Sequence, residues 1–178
     1  CRARRGLADA RAADTMLRRG ARLSSDAIQV RSLTELDLDG IVRIGEKMRN
    51  RYEPDLWEGR VTYYLRRAPE GSLVAEVDGE VAGFMLGDVR SGEFGIEEQC
   101  GWVEVMGVDP DFAGRGVGRA LAEEMLKRYQ ARGVSKVRTM VDSSMPGVEA
   151  FFTRLGFAAD TLRSYRLDLG MTPGQGRT

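Results

Sequence analysis

A mixed α/β fold follows from three features of this 178-residue sequence. The run SLVAEVDGEVAGFMLGDV, residues 72–89, places two β-prone stretches around Asp78-Gly79. That dipeptide suits a type I′ hairpin, because both central residues tolerate positive φ. The run CGWVEVMGVDP reads as a mainly apolar strand, central in a sheet and ended by Pro110, which has no N–H for a ladder. Segments with helical spacing lie on both sides of these strands. The predicted class is therefore α/β (an α+β mixed sheet), in the order β-α-α-β-β-β-α-β-α-β.

The elements follow in turn. Ile28–Val30 opens with an alternating apolar segment, and Thr34 is a cap candidate before Leu36, Ile41, Ile44 and Met48, which share one helical face. Pro54 introduces a second helix over 56–67, broken by the turn APEG. After the hairpin, the acidic loop RSGEFGIEEQ leads into the central strand. Val117, Leu121 and Met125 lie four apart with Ala120 beside them, and Gly133 is placed to close that helix at C′. VSKVRTMVD reads as a strand, MPGVEAFFTRLGF as a short amphipathic helix and LRSYRLDL as a final strand.

Composition narrows the function. Formal net charge is zero, which argues against binding nucleic acid by phosphate neutralisation. No apolar run approaches the roughly 20 residues that span a bilayer. Residues 1–27 hold seven Arg against three Asp, a balance of +4, so the remainder carries −4. This basic head reads foremost as an unstructured extension, with an organelle-targeting peptide and a nucleic-acid arm as the other readings. Residues 28–170 are expected to form one domain and 171–178 a tail. Cys1 and Cys100 form no metal or redox spacing, consistent with a reduced, cytoplasmic protein. The sequence contains no histidine, so acid–base chemistry falls to carboxylates, Tyr, Cys, Lys or water, and no metal is expected.

The stretch DPDFAGRGVGRAL sets glycines at 114, 116 and 118 immediately before a helix. A Walker A loop requires Gly-Lys-Ser/Thr, whereas Gly118 is followed by Arg119-Ala120; a G-x-G-x-x-G fingerprint fails at Arg119 and Leu121. Two readings remain. The loop amides and the helix start could cradle a pyrophosphate, with Arg115 and Arg119 adding charge. Alternatively, the glycines make a turn that packs strand on helix.

The strand VEVMGVDP, the loop DFAGRGVGRAL and a later helix ending FFTRLGF together resemble the GNAT superfamily of acyl-CoA-dependent N-acyltransferases. The likeness is strongest over residues 102–157, where ribosomal-protein N-terminal acetyltransferases also look similar. It implies acetyl-CoA as co-substrate, with Gly114, Arg115, Gly116, Val117, Gly118 and Arg119 as the pyrophosphate turn. It further implies that Met106, Gly107 and Val108 form a bulged strand end, where backbone groups meet the pantetheine arm and one amide holds the acyl oxygen. Three positions depart from the family pattern. Ala113 replaces Gln or Arg, Met145 stands where Asn is frequent, and Phe152 replaces the Tyr that protonates the departing thiolate.

Glu104 is the candidate general base, directly or through a water, since family members place a Glu here and a carboxylate in an apolar strand is costly without a partner or a task; the alternative is an edge-exposed or salt-bridged glutamate. Strand alternation puts Trp102, Glu104, Met106 and Val108 on one face, up to the bulge. Tyr165 and Cys100 are weaker candidate acids. Trp102, Phe94 and the acidic loop (Glu93, Glu97, Glu98) border the acceptor side or serve as core and solvated surface. The expected activity is N-acetyl transfer to a primary amine of a protein or small molecule through a ternary complex. The alternative is a catalytically idle acyl-CoA-binding module. The expected partners are acetyl-CoA and the amine acceptor, a homodimer being compatible, with no nucleic acid and no membrane.

Overall fold

The computed structural model describes residues 27–169, so the basic extension before Ala27 and the tail after Leu169 lie outside it. The chain divides into two compact units, Cys1–Met140 and Val141–Thr178. In the first, the order is β1 (Gln29–Ser32), α1 (Leu38–Arg49), α2 (Pro54–Arg67), β2 (Ser72–Val77), β3 (Glu80–Arg90), β4 (Cys100–Val108), α3 (Val117–Ala131) and β5 (Lys136–Thr139). The strands form one sheet in chain order. The first three junctions are antiparallel, and β4–β5 is parallel. The β2–β3 turn has positive φ at both Asp78 and Gly79, the hairpin geometry its sequence predicts.

One sheet face carries α1 and α2. Ile41, Ile44, Trp57, Val61 and Tyr64 from these helices pack on Val74, Phe84 and Leu86. Trp57 meets Phe84 edge-on, with ring centroids 5.3 Å apart. It fits only because position 45 is glycine: a Cβ there would lie 2.1 Å from the indole Nε1. The expected α1 face is right at Ile41 and Ile44 but not at Leu36, which sits on a 3-10 turn before the helix and is 93% exposed. A change of helical pitch in that turn rotates Leu36 out of the stripe that the 3.6 period assigns it.

The other face carries α3, whose Val117, Leu121, Met125 and Tyr129 are all buried. Three glycines make room for Tyr129: a Cβ at Gly71, Gly87 or Gly101 would approach its ring or hydroxyl within 3.0, 2.5 and 2.5 Å. The hydroxyl donates to the Trp102 carbonyl at 3.1 Å. Burial foremost, and then the charges of Asp88 and Glu104, push this phenol far above the ordinary tyrosine range. It therefore stays a donor at neutral pH. Gly133, with φ of 77°, ends α3 as its C′ residue.

The second unit contains α4 (Pro146–Arg154). The Phe152 ring lies between Phe151 and Phe157, each with its centroid 5.1 Å away. The expected final strand over 162–169 does not form, and Tyr165, Leu167 and Leu169 are exposed. A strand is stabilised by its neighbour's backbone rather than by its own alternation, and this segment joins no ladder among the described residues.

Candidate acyl-transfer site

The site begins at an irregularity in β4. Leu86 opposes Val105 and Gly87 opposes Val103, so Glu104 is an extra residue, a β-bulge. Three long-range groups meet this point. Tyr129 holds the Trp102 carbonyl from below, as described above. On the opposite face Tyr64 of α2 donates its hydroxyl to Glu104 Oε2, and Arg90 of β3 donates Nη2 to Oε1. The Arg90 guanidinium also lies 5.3 Å over the Trp102 ring. Burial raises the Glu104 carboxyl above its ordinary value, while its side chain keeps 29% exposure.

The bulge corrects two sequence expectations. It lies at Glu104 rather than at Met106–Val108, whose ladder with Met85–Gly83 is regular. It also divides the expected stripe. Glu104 shares the α1/α2 face with Gly107, where a Cβ would meet the Phe84 ring at 2.6 Å and Met48 Sδ at 3.1 Å. Met106 and Val108 point to the α3 face, as Gly83 opposite Val108 shows: a Cβ there would meet Val117 Cγ1 at 2.8 Å. One inserted residue reverses every side chain beyond it.

At the same point the sheet opens. The β4–β5 ladder ends at Val103–Thr139, where the Thr139 hydroxyl donates to the Val103 carbonyl at 2.9 Å. Beyond it, β4 continues beside β3 alone. Asp109 N–H donates to the Ala82 carbonyl at 2.9 Å. Opposed residues of an antiparallel ladder alternate between bonded and non-bonded pairs. Gly107 therefore turns its backbone groups towards Phe84, whereas Met106 and Val108 turn theirs towards an edge that no strand covers among the described residues. That edge offers both a donor and an acceptor to an extended ligand.

From this edge the chain enters the glycine loop. Asp109, 1% exposed, caps a 3-10 turn at Pro110–Phe112 by accepting from Asp111 N–H at 3.0 Å. Burial alone would raise its carboxyl, but Lys47 Nζ, 2.9 Å from both oxygens, and the Asp111 amide hold it below the ordinary value. Lys47 also reaches Asp111 at 2.6 Å, so the end of α1 is tied to the start of the loop. Gly114 and Gly116 have φ of 75° and 89°, a region that L side chains avoid. Residues 113–116 are exposed. At the start of α3 the N–H groups of Val117, Gly118 and Arg119 have no intrahelical acceptor, leaving a concentration of donors and the positive helix end. This combination fits a pyrophosphate without requiring a particular side chain, so Ala113 is compatible with it. The Arg119 side chain pairs with Glu123 at 2.7 Å, and the Arg115 guanidinium lies 5.1 Å over Phe112.

Other expected residues fall as follows. Cys100 is buried beside Arg138. Phe94 is exposed and packs on Trp102, with centroids 5.8 Å apart. In the acidic loop, Glu98 accepts from Lys136 at 2.7 Å and Ser135 at 2.9 Å, tying that loop to the start of β5. Tyr165 is 88% exposed on the segment that joins no strand. Tyr64 and Arg90 escaped the sequence reading. Each looked like an ordinary helix or strand residue, and only long-range pairing brings them to Glu104.

Comparison with known proteins bears on the family and the fold. The family model described as acetyltransferase (GNAT) family matches residues 38–157. An acetyltransferase of Pectobacterium atrosepticum is 28% identical over 133 residues, covering 73% of this chain and 87% of that one. Mycothiol acetyltransferase of Streptomyces coelicolor is 35% identical over 101 residues, 56% of this chain but only 31% of the relative. Among solved structures, an aminoglycoside N-acetyltransferase in complex with CoA superposes with a TM-score of 0.69 at 17% identity, covering 80% of this chain and 95% of that one. The open β4 edge, the donor-rich loop and the family match over most of the described chain lead to one assignment: this protein belongs to the GNAT family and is an acyl-CoA-dependent N-acyltransferase.

Proposed function

We propose that the protein transfers the acetyl group of acetyl-CoA to a primary amine within a ternary complex, with Glu104 as general base. The observation that carries this reading is the coincidence at one bulge of a half-buried carboxylate and the start of the open β4 edge. Acetyl-CoA supplies an activated thioester. The amides of Val117, Gly118 and Arg119, approached over the glycine turn at 114–116, are suited to its pyrophosphate, and the outward backbone groups of Met106 and Val108 to its pantetheine arm. Gly107 contributes as the small residue that lets β4 pass under Phe84 and Met48.

An amine arrives mostly as ammonium and must lose a proton before it can attack. Glu104 accepts that proton, directly or through one water, and its raised pKa brings it closer to the amine's. The departing thiolate is protonated by solvent or by the proton that the attacking nitrogen sheds as the tetrahedral adduct collapses to the amide, because Phe152 has no proton to give and Tyr165 stays outside the proposed chemistry. A free thiol ionises near pH 8.5, so an unassisted departure is tolerable.

Turnover of acetyl-CoA with thiol release across a panel of small amines and peptides tests the reading. Glu104→Gln should reduce the rate at least tenfold near neutral pH, with less loss at high pH where the free amine is abundant, and with CoA affinity unchanged. Tight CoA binding without release on any amine of the panel would favour the idle-module reading. An unchanged pH profile would remove Glu104 as base.

A further inference from the structure

We infer that Tyr64 is a positioning residue for Glu104, acting with Arg90 as a two-sided clamp that fixes which lone pairs of the carboxylate face the incoming amine. This rests on the general-base reading above. The hydroxyl of Tyr64 donates to Oε2 and the guanidinium of Arg90 to Oε1, so neither oxygen can rotate out of the bulge without losing a donor. Both partners are themselves held. Tyr64 is 5% exposed within the α1/α2 core, and its ring meets Tyr63 edge-on at 5.2 Å. Arg90 is held by the Trp102 ring below it and by Glu93 at 3.8 Å.

The need for such a clamp is physical. A bulged residue has lost its ladder partner, and glutamate has three rotatable side-chain bonds, so an unheld carboxylate would sample many poses. Misplacement by about 1 Å can lower a rate by roughly 100-fold. The clamp leaves each oxygen a second lone pair for the proton, since a carboxylate oxygen accepts more than one hydrogen bond.

The clamp also opposes burial. Donors directed at the charged form favour it, whereas the apolar surroundings disfavour it. Tyr64 on α2 and Arg90 on β3 touch Glu104, and Tyr129 on α3 beneath the sheet feels its charge together with that of Asp88 on β3; Glu93 in the following loop reaches Arg90. Arg67 is engaged with Asp88 at 3.1 Å, which leaves Tyr64 and Arg90 as the donors in contact with the carboxylate.

Tyr64→Phe keeps the ring in the core and removes only the hydroxyl. Carbon-13 labelling of glutamate side chains allows the Glu104 carboxyl to be followed by NMR, with Glu104→Gln identifying its signal. The Glu104 titration in Tyr64→Phe should move up by roughly half a unit to one unit. The acid limb of kcat should move up with it, kcat should fall several-fold, and the KM for acetyl-CoA should stay within twofold. Arg90→Met should shift the titration further, because a charge is lost as well as a donor, and Arg90→Lys should restore part of that shift. An unmoved titration in both Tyr64→Phe and Arg90→Met overturns the clamp, whatever the activity. A titration that moves while kcat in Tyr64→Phe stays at the wild-type value at every pH overturns the positioning role. If Glu104→Gln leaves the rate–pH profile intact while Tyr64→Phe still moves the Glu104 titration, the contact stands and the general-base reading falls.

Discussion

Tyr129→Phe is the most informative stability test of how the bulge is built. The substitution keeps the ring that fills the space over Gly71, Gly87 and Gly101 and removes one hydroxyl. That hydroxyl is the donor to the Trp102 carbonyl, two residues before the bulged Glu104. Tyr129 is 1% exposed, so water cannot readily replace the lost donor. Removing the donor of a buried hydrogen bond costs about 1–3 kcal/mol, and relief from burying the phenol offsets part of it, leaving a net loss of about 1–2 kcal/mol. For a chain of this size that corresponds to a fall in Tm of roughly 2–8 °C.

The pH dependence supplies a second, independent signature. In the unfolded chain the phenol ionises near pH 10, whereas burial raises it well beyond that in the folded protein. Below about pH 10 both states keep the proton, so this group gives stability no slope. Above it the unfolded state releases its proton first, and stability falls by about 1.4 kcal/mol per pH unit until the folded phenol also ionises. Tyr129→Phe lacks this contribution, while every other titrating group is common to both proteins. Urea melts followed by circular dichroism should therefore show wild type ahead by about 1–2 kcal/mol at pH 7 and the gap closing between pH 10 and 11. Equal midpoints at pH 7, or a gap that stays constant to pH 11, would refute the buried donor.

Two further predictions concern the cofactor loop. Gly116→Val places a branched side chain at φ of 89° and should weaken CoA binding at least tenfold with little change in the far-ultraviolet spectrum; wild-type affinity would mean that the loop does not receive the pyrophosphate. Lys47→Met cuts the tie from α1 to Asp109 and Asp111, leaving the buried Asp109 with Arg43 at 3.8 Å as its remaining cation. Its KM for acetyl-CoA should rise several-fold, with a smaller change in kcat and a lower urea midpoint. Equal KM values would show that the tie does not set the loop.

Much of this fold was legible because short-range physics decides it. Asp78-Gly79 can make its turn alone, the spacing of Val117, Leu121 and Met125 can bury only one face, and glycines at 114 and 116 permit a left-handed backbone wherever the loop is placed. The same locality explains the errors. The alternation of residues 162–169 describes what a strand would bury but cannot supply a neighbouring strand. The helical stripe that included Leu36 ignored the tighter turn in which it sits.

The sequence alone determined the αβ order up to α4, the glycine loop and the carboxylate in an apolar strand, since each is written in consecutive residues. Tertiary structure decided where β4 bulges, which edge of it stays open and what holds Glu104. A bulge is a count between two strands, here Leu86-Gly87 against Val103 to Val105. The groups that fix it come from β3, α2 and α3. Contacts spanning 14, 40 and 27 residues leave no periodic trace in the chain, so they become visible only when the sheet is assembled.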